Sequence, residues 1–93
     1  RKQATAQMNL TPRAAPELDI RGLETLEAES VVENYIDAAV VAKLGSVTII
    51  HGKGTGALRK AVHDMLKRNR AVKSFRLGHY GEGEAGVTVV ELK

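Results

Sequence analysis

The chain has no cysteine, no tryptophan, one phenylalanine and two tyrosines. Without cysteine there is no disulfide framework, no thiolate zinc site and no cysteine nucleophile. A reducing cytosol fits that composition, and a cytoplasmic location is the expectation. No apolar run approaches the ~18 residues of a membrane span, and no signal peptide opens the chain, so no membrane partner is expected. Both prolines, Pro12 and Pro16, fall in the first sixteen residues, leaving the rest free of helix breakers. At 93 residues there is room for one small core and not for two. The chain begins with Arg1 rather than methionine, which reads as a piece of something longer.

The net charge of +3 decides little, but its distribution is uneven. Residues 17–37 hold seven acids and one base, and residues 51–76 hold eight bases and one acid. Such asymmetry suggests a basic face for a polyanion, or else an ordinary solvated helix surface.

Residues 1–16 show no period and read as a linker or fraying end. Glu17 to Arg21 alternates polar and apolar and predicts a short strand stopped by Gly22. Thr25 is placed to cap a long amphipathic helix carrying Ala28, Val32, Tyr35, Ile36, Ala39 and Val40 on its apolar stripe. That helix is expected to end near Leu44, with Gly45 as its stop. Val47 to Ile50 predicts a buried strand. A second helix is expected over residues 57–67, with Leu58, Ala61, Val62, Met65 and Leu66 inward and Arg59, Lys60, His63, Asp64 and Lys67 outward. Two more strands are expected over Val72–Leu77 and Val87–Leu92, joined by a glycine-rich loop. Strand–helix–strand crossovers predict parallel neighbours, and the final strand should run antiparallel. The class is therefore α/β: a two-layer βαβαββ sandwich, a four-stranded mixed sheet with two helices.

In open α/β sheets, ligands collect at the carboxyl ends of parallel strands. Here those ends carry Asp19 and Arg21, then His51-Gly52-Lys53-Gly54-Thr55-Gly56, then His79 and Tyr80. Three glycines let a ligand approach the backbone, and the turn opens a helix whose free N–H groups suit a phosphate. Lys53 adds a mobile charge and Thr55 a hydroxyl. The turn is neither a Walker P-loop nor a dinucleotide fingerprint. A strand-to-helix turn of this kind also needs no ligand, and both readings stand. Asp19 and Arg21 share a strand face, where a plain ion pair is the alternative to a catalytic pair. His51, beside glycines at a strand end, is hard to explain as core and fits an acid–base or ligand role. His63, on the polar helix face, is expected to be simply exposed. Tyr80 is available to stack on a base. No metal motif is present.

Leu18-Asp19-Ile20-Arg21-Gly22, His51-Gly52-Lys53-Gly54-Thr55-Gly56 with Leu58-Arg59, and a glycine-rich loop into Val87-Thr88-Val89-Val90 together resemble the Smr (small MutS-related) domain. The resemblance covers residues 17–93. The ending Glu91-Leu92-Lys93 is similar to the C-terminus of the bacterial MutS paralogues that carry this domain. The resemblance implies a sandwich like the C-terminal domain of bacterial translation initiation factor three. It also implies binding of DNA or RNA and endonuclease or nicking activity, with Leu18, Asp19 and Arg21 as one motif and His51, Gly52 and Gly54 as another. One motif departs from the family: Gly83-Glu84-Ala85-Gly86 has Glu84 where a glycine is usual.

For a parent protein the resemblance implies a homodimeric body that uses ATP in another domain, and a role in suppressing homologous recombination or in splitting collided ribosomes; no cofactor is expected in this domain. The isolated domain is expected to be a monomer, with any divalent-metal requirement left open. The expected catalytic set is Asp19, Arg21, His51 and Lys53. The expected nucleic-acid contacts are Gly52, Gly54, Thr55, Gly56, Arg59, Lys60, Arg76, His79 and Tyr80. The rival readings are a non-catalytic module whose basic face of Arg59, Lys60, Lys67, Arg68 and Arg76 grips phosphates, and a protein-interaction domain using the acidic first helix.

Overall fold

The structure is a computed structural model and describes residues 15–93. The expected linker over residues 1–16 lies almost wholly outside the described residues. Pro16 is seen, and its carbonyl accepts the Thr48 N–H at 2.9 Å, opening the sheet ladder. The elements follow as β1 (Glu17–Asp19), α1 (Thr25–Val41), β2 (Ser46–Ile50), α2 (Ala57–Lys67), β3 (Val72–Leu77), a single 3₁₀ turn (Glu84–Gly86) and β4 (Val87–Leu92).

The sheet order is β1-β2-β4-β3. β1 pairs parallel with β2, and β4 runs antiparallel to both β2 and β3. β3 therefore points the same way as β1 and β2 but is not β2's neighbour. The parallel-neighbour expectation holds for the first crossover and fails for the second, because β4 inserts between β2 and β3. The insertion puts the β-branched run Val87–Val90 at the sheet's centre, where both of its edges find ladder partners. A consequence matters for function: the carboxyl ends of β1, β2 and β3 and the start of β4 share one rim.

Both helices cover the same face. Ala28, Val32, Tyr35, Ile36 and Ala39 of α1 and Val62 and Leu66 of α2 bury against Val47, Ile49, Val90 and Leu92 of the sheet. The spacing of these residues at three- and four-residue steps puts each set on one stripe. Burying an aliphatic side chain of this size stabilises by about 1.5–3 kcal/mol, so this cluster holds the layers together. Two expected stripe details differ. Val40 is 44% exposed and lies outside the buried set of α1. Thr25 is the first helical residue, and Glu24 precedes it without a side-chain cap.

The end of α1 also differs from the expectation. Lys43, not Gly45, takes the left-handed conformation, with φ 61°. Its N–H bonds the Val40 carbonyl at 3.0 Å, and the Leu44 N–H bonds the Ala39 carbonyl at 3.0 Å. These are the two hydrogen bonds of a Schellman stop, a place where glycine is usual. A side chain in that conformation costs about 1–2 kcal/mol, partly offset by glycine's greater freedom when unfolded. Lys43→Gly should therefore raise stability by about 0.5–1 kcal/mol, seen as a higher urea midpoint at unchanged m-value. A lower midpoint would contradict this account of the stop.

Candidate functional site

The rim begins with the Asp19–Arg21 pair at the end of β1. The Asp19 carboxylate accepts from the Arg21 backbone N–H at 3.0 Å, from Nε at 2.9 Å and from Nη2 at 2.6 Å. Two-residue spacing on an extended chain puts both side chains on one face, and the guanidinium fork fits a carboxylate. The hydrogen bonds from Arg21 hold the Asp19 carboxyl below its ordinary value, and the carboxylate raises that of Arg21. Asp19 is thus an ionised orienting group and a weak base at neutral pH. The pair remains open to solvent, with side chains 46% and 62% exposed.

Arg21 reaches the second loop through a gap. A Cβ built on Gly52 would lie 3.3 Å from the Arg21 Cγ, and Gly52 has φ +82°. Only glycine takes that conformation freely, and its missing side chain leaves room for the arginine stem. The loop is tied to the start of β4, since the Gly86 carbonyl accepts from the N–H groups of His51 at 3.1 Å and Gly52 at 2.8 Å. At its far end Gly56 has φ +88°, and a Cβ there would lie 2.9 Å from the Arg59 Nη2. Arg59 therefore folds back over the opening of α2, where the helix dipole is positive and a cation is disfavoured without an anion between them. The Thr55 hydroxyl accepts the Ala57 N–H at 3.3 Å. Lys53 stands beside the loop with its ammonium 4.0 Å from the Glu84 carboxylate. Glu84 itself is left-handed, with φ 52°, so the departure from glycine puts both backbone strain and a negative charge next to Lys53. Arg21, Lys53 and Arg59 thus all sit against the turn Gly52–Gly56.

A family model of the Smr domain matches residues 18–93. The chain belongs to the Smr domain family. Among curated proteins it is 55% identical over 92 residues to Endonuclease MutS2 of Clostridium acetobutylicum, covering 99% of this chain and 12% of that protein. It is 61% identical over 77 residues to Endonuclease MutS2 of Ruminiclostridium cellulolyticum, covering 83% of this chain and 10% of that protein. The chain thus spans only a small part of the length of these relatives. Among solved structures, the Smr domain of Thermus thermophilus MutS2 superposes with a TM-score of 0.83 at 43% identity, covering 85% of this chain and 99% of that one. YdaL of Escherichia coli, a stand-alone small MutS-related protein, gives a TM-score of 0.80 at 25% identity, covering 84% and 64%. This is an Smr domain of the kind carried by MutS2-type proteins, with the α/β architecture of those neighbours.

In this Smr domain His51 is not an open ligand. It is 5% exposed. By strand alternation it follows Val47 and Ile49 onto the helix-covered face, whereas Asp19, the register partner of Ile50, lies on the open face. Asp19 and His51, expected together in the catalytic set, are therefore separated: they end neighbouring strands on one rim but on opposite faces of the sheet. Both nitrogens of His51 are engaged, Nδ1 with the Gly52 carbonyl at 2.9 Å and Nε2 with the Thr88 hydroxyl at 2.8 Å.

His63 is a further correction. It is half-buried rather than simply exposed, packing at 4.8 Å between ring centroids on Phe75, with its Nε2 2.7 Å from the same Thr88 hydroxyl. Burial, then the nearness of His51, Arg59 and Lys67, lowers its pKa against an opposing pull from Asp64. Folded His63 therefore holds a proton less readily than the unfolded imidazole, whose value is about 6.5. Its stabilising contribution is complete above about pH 6.5 and is lost as pH falls through that value and on through the lower folded one. Urea midpoints should drop on the acid side of about 6.5, and drop less in His63→Gln. Identical pH slopes in the two proteins would contradict this.

The other expected contacts divide. Lys60 pairs with Asp64 at 3.2 Å one helical turn away. Arg76 sits on the open face of the sheet, since Phe75 points to the core, so it does not join the α2 cations in one basic face. Its Nη1 donates to the Glu82 carboxylate at 2.9 Å, and the His79 backbone N–H donates to the same oxygen at 2.7 Å. Those bonds hold the Glu82 carboxyl down at about 2 and brace the loop after β3. Tyr80, at the tip of that loop, is 94% exposed. Sequence reasoning assigned no role to Thr88 or Glu82, and it pointed to His63 only as an exposed residue. A hydroxyl on the inward side of β4, in alternation with apolar Val90 and Leu92 that follow it, was the available signal for Thr88, because buried polar groups are uncommon and partnered. Among the described residues no three His, Asp or Glu side chains group as a metal site would require, and none of their helices is long and apolar enough to cross a membrane.

Proposed function

We propose that this domain binds a nucleic-acid phosphodiester against the Gly52–Gly56 turn and cleaves it as an endonuclease. The observation that carries the reading is the gathering of Arg21, Lys53 and Arg59 around one glycine-rich turn at the start of a helix. Arg21 and Lys53 neutralise charge on the phosphoryl oxygens, and the N–H groups of the turn beyond Gly52, whose own N–H bonds the Gly86 carbonyl, serve the same oxygens. Asp19 aims the Arg21 fork and orients the attacking water. Water adds at phosphorus as its proton passes by way of the Asp19 carboxylate to solvent, and the bond to the leaving sugar oxygen breaks as that oxygen takes a proton from solvent. Because Asp19 is a weak base here, cleavage is slow, short of the 10²–10⁴-fold that a well-tuned base supplies. The name Endonuclease MutS2 of the relatives supports the reaction class. In a MutS2-type parent, nicking of branched DNA fits a role in suppressing homologous recombination.

A second reading is a non-catalytic module that anchors an ATPase body on DNA or ribosomal RNA. It is favoured by one feature, the full engagement of Asp19 and His51 in internal hydrogen bonds. Supercoiled plasmid and structured RNA, each incubated with and without EDTA, separate the two. On the nuclease reading Asp19→Asn cuts nicking by about 10²-fold, the scale of a misaimed catalytic group, with affinity nearly unchanged. Nicking by the variant at the parental rate would overturn the Asp19 role. Absence of cleavage with affinity falling steeply in salt would leave the binding module.

A further inference from the structure

We infer that Thr88 and His63 are positioning residues for the rim: they fix His51 as its Nδ1–H tautomer, which in turn holds the Gly52 carbonyl and the shape of the phosphate-facing turn. The assignment follows from donor counting. The Gly52 carbonyl only accepts, so His51 Nδ1 carries the proton that meets it at 2.9 Å. Nε2 of a neutral His51 is then an acceptor, and the Thr88 hydroxyl at 2.8 Å must donate to it. Thr88 has only one hydroxyl hydrogen. His63 Nε2, 2.7 Å from the same oxygen, must therefore donate. The protons run in one direction, from His63 Nε2 to Thr88 Oγ1, from Thr88 Oγ1 to His51 Nε2, and from His51 Nδ1 to the Gly52 carbonyl.

Burial makes the arrangement consequential. Thr88 is 0% and His51 5% exposed, so neither exchanges its partner for water. The two rings stand 6.2 Å apart at 81°, sharing the hydroxyl between them. Gly52, the residue at the end of the relay, has the left-handed φ that turns the chain towards Arg21. The relay therefore links α2, through His63, to the peptide that sets where the loop's backbone groups face. His51 belongs to the frame of the site and does not itself take a proton from water.

The inference rests on the proposed phosphate reading only for its effect on binding, and the test separates the two. Imidazole ¹⁵N shifts are recorded on the full chain above the ordinary imidazole value of about 6.5. His51 should show a protonated Nδ1 and a bare Nε2, and His63 a protonated Nε2. A His51 protonated at Nε2 would overturn the relay whatever the domain binds. Thr88→Val should shift His51 towards the other tautomer and move the Gly52 carbonyl ¹³C resonance, while Thr88→Ser restores both. Affinity for a short oligothymidylate should weaken about fivefold in Thr88→Val, the fold-change of about one hydrogen bond, and recover in Thr88→Ser. Unchanged tautomer and carbonyl signals in a folded Thr88→Val protein would overturn the positioning role. Should Thr88→Val not fold, His63→Phe, which removes only the first donor, must disturb the same two signals, and silence there would count equally against it. If the parental chain shows the assigned tautomers yet does not bind the oligonucleotide, the phosphate reading fails and the relay stands.

Discussion

Replacing Arg21 by lysine should lower phosphodiester cleavage by about 10²–10³-fold, the cost of one lost oxyanion-type donor, with the fold intact. The charge survives the substitution, so a purely electrostatic role would leave most of the rate. The fork does not survive. Nε and Nη2 of Arg21 bond the two oxygens of Asp19, and a lysine ammonium cannot reproduce that planar, two-pronged fit. With its aim lost, the cation samples the solvent instead of one direction over Gly52. Because the Arg21 side chain is 62% exposed, the urea midpoint should hardly move. Plasmid nicking rates beside urea melts supply both readings. Parental rates in Arg21→Lys would mean that charge alone suffices and that the Asp19 pair has no part in the chemistry.

Gly52→Ala should lower cleavage by about 10²-fold, the scale of a displacement near 1 Å in a catalytic group. Two effects act at this position. The left-handed backbone, φ +82°, costs a side-chain-bearing residue about 1–2 kcal/mol. The new methyl also meets the Arg21 stem at 3.3 Å and must push it aside. Gly54 provides the control, because it shares a positive φ of +26° but has nothing within 4 Å of an added Cβ, so Gly54→Ala carries the backbone cost without displacing Arg21 and should cost less activity. In an Arg21→Ala background the part of the Gly52→Ala loss that comes from displacing the arginine stem should vanish, so the two losses should sum to less than additive. Additive losses in that double variant would show that Gly52 serves the backbone alone.

Much of this architecture was legible in the residues. The apolar steps of α2 and the β-branched runs of β3 and β4 gave bounds that coincide with the observed ones, because local period and tertiary burial agree there. The end of α1 was misread because a left-handed lysine carries no mark in the sequence, and Gly45 two residues later offered a more familiar stop. The insertion of β4 between β2 and β3 is a long-range choice that crossover rules do not decide. The rim was legible as a place, since the strand directions bring the Asp19, His51 and His79 loops to one edge. The orientation of its side chains was not. His51 reads as a solvent-facing histidine until the Ile49–Thr88 and Leu77–Thr88 register pairs are known. His63 looks polar beside Lys60 and Asp64, and only the packing of α2 over β3 brings Phe75 and Thr88 to it.

The proposed function requires a phosphate to seat itself at the glycine turn between Arg21, Lys53 and Arg59. Backbone amide shifts followed during titration with a short oligonucleotide test this most directly. The largest changes are predicted at Arg21 and across residues 52–57, with Glu84 responding as Lys53 leaves it. Changes confined to Lys67, Arg68 and Arg70 at the far end of α2, with the turn silent, would contradict it.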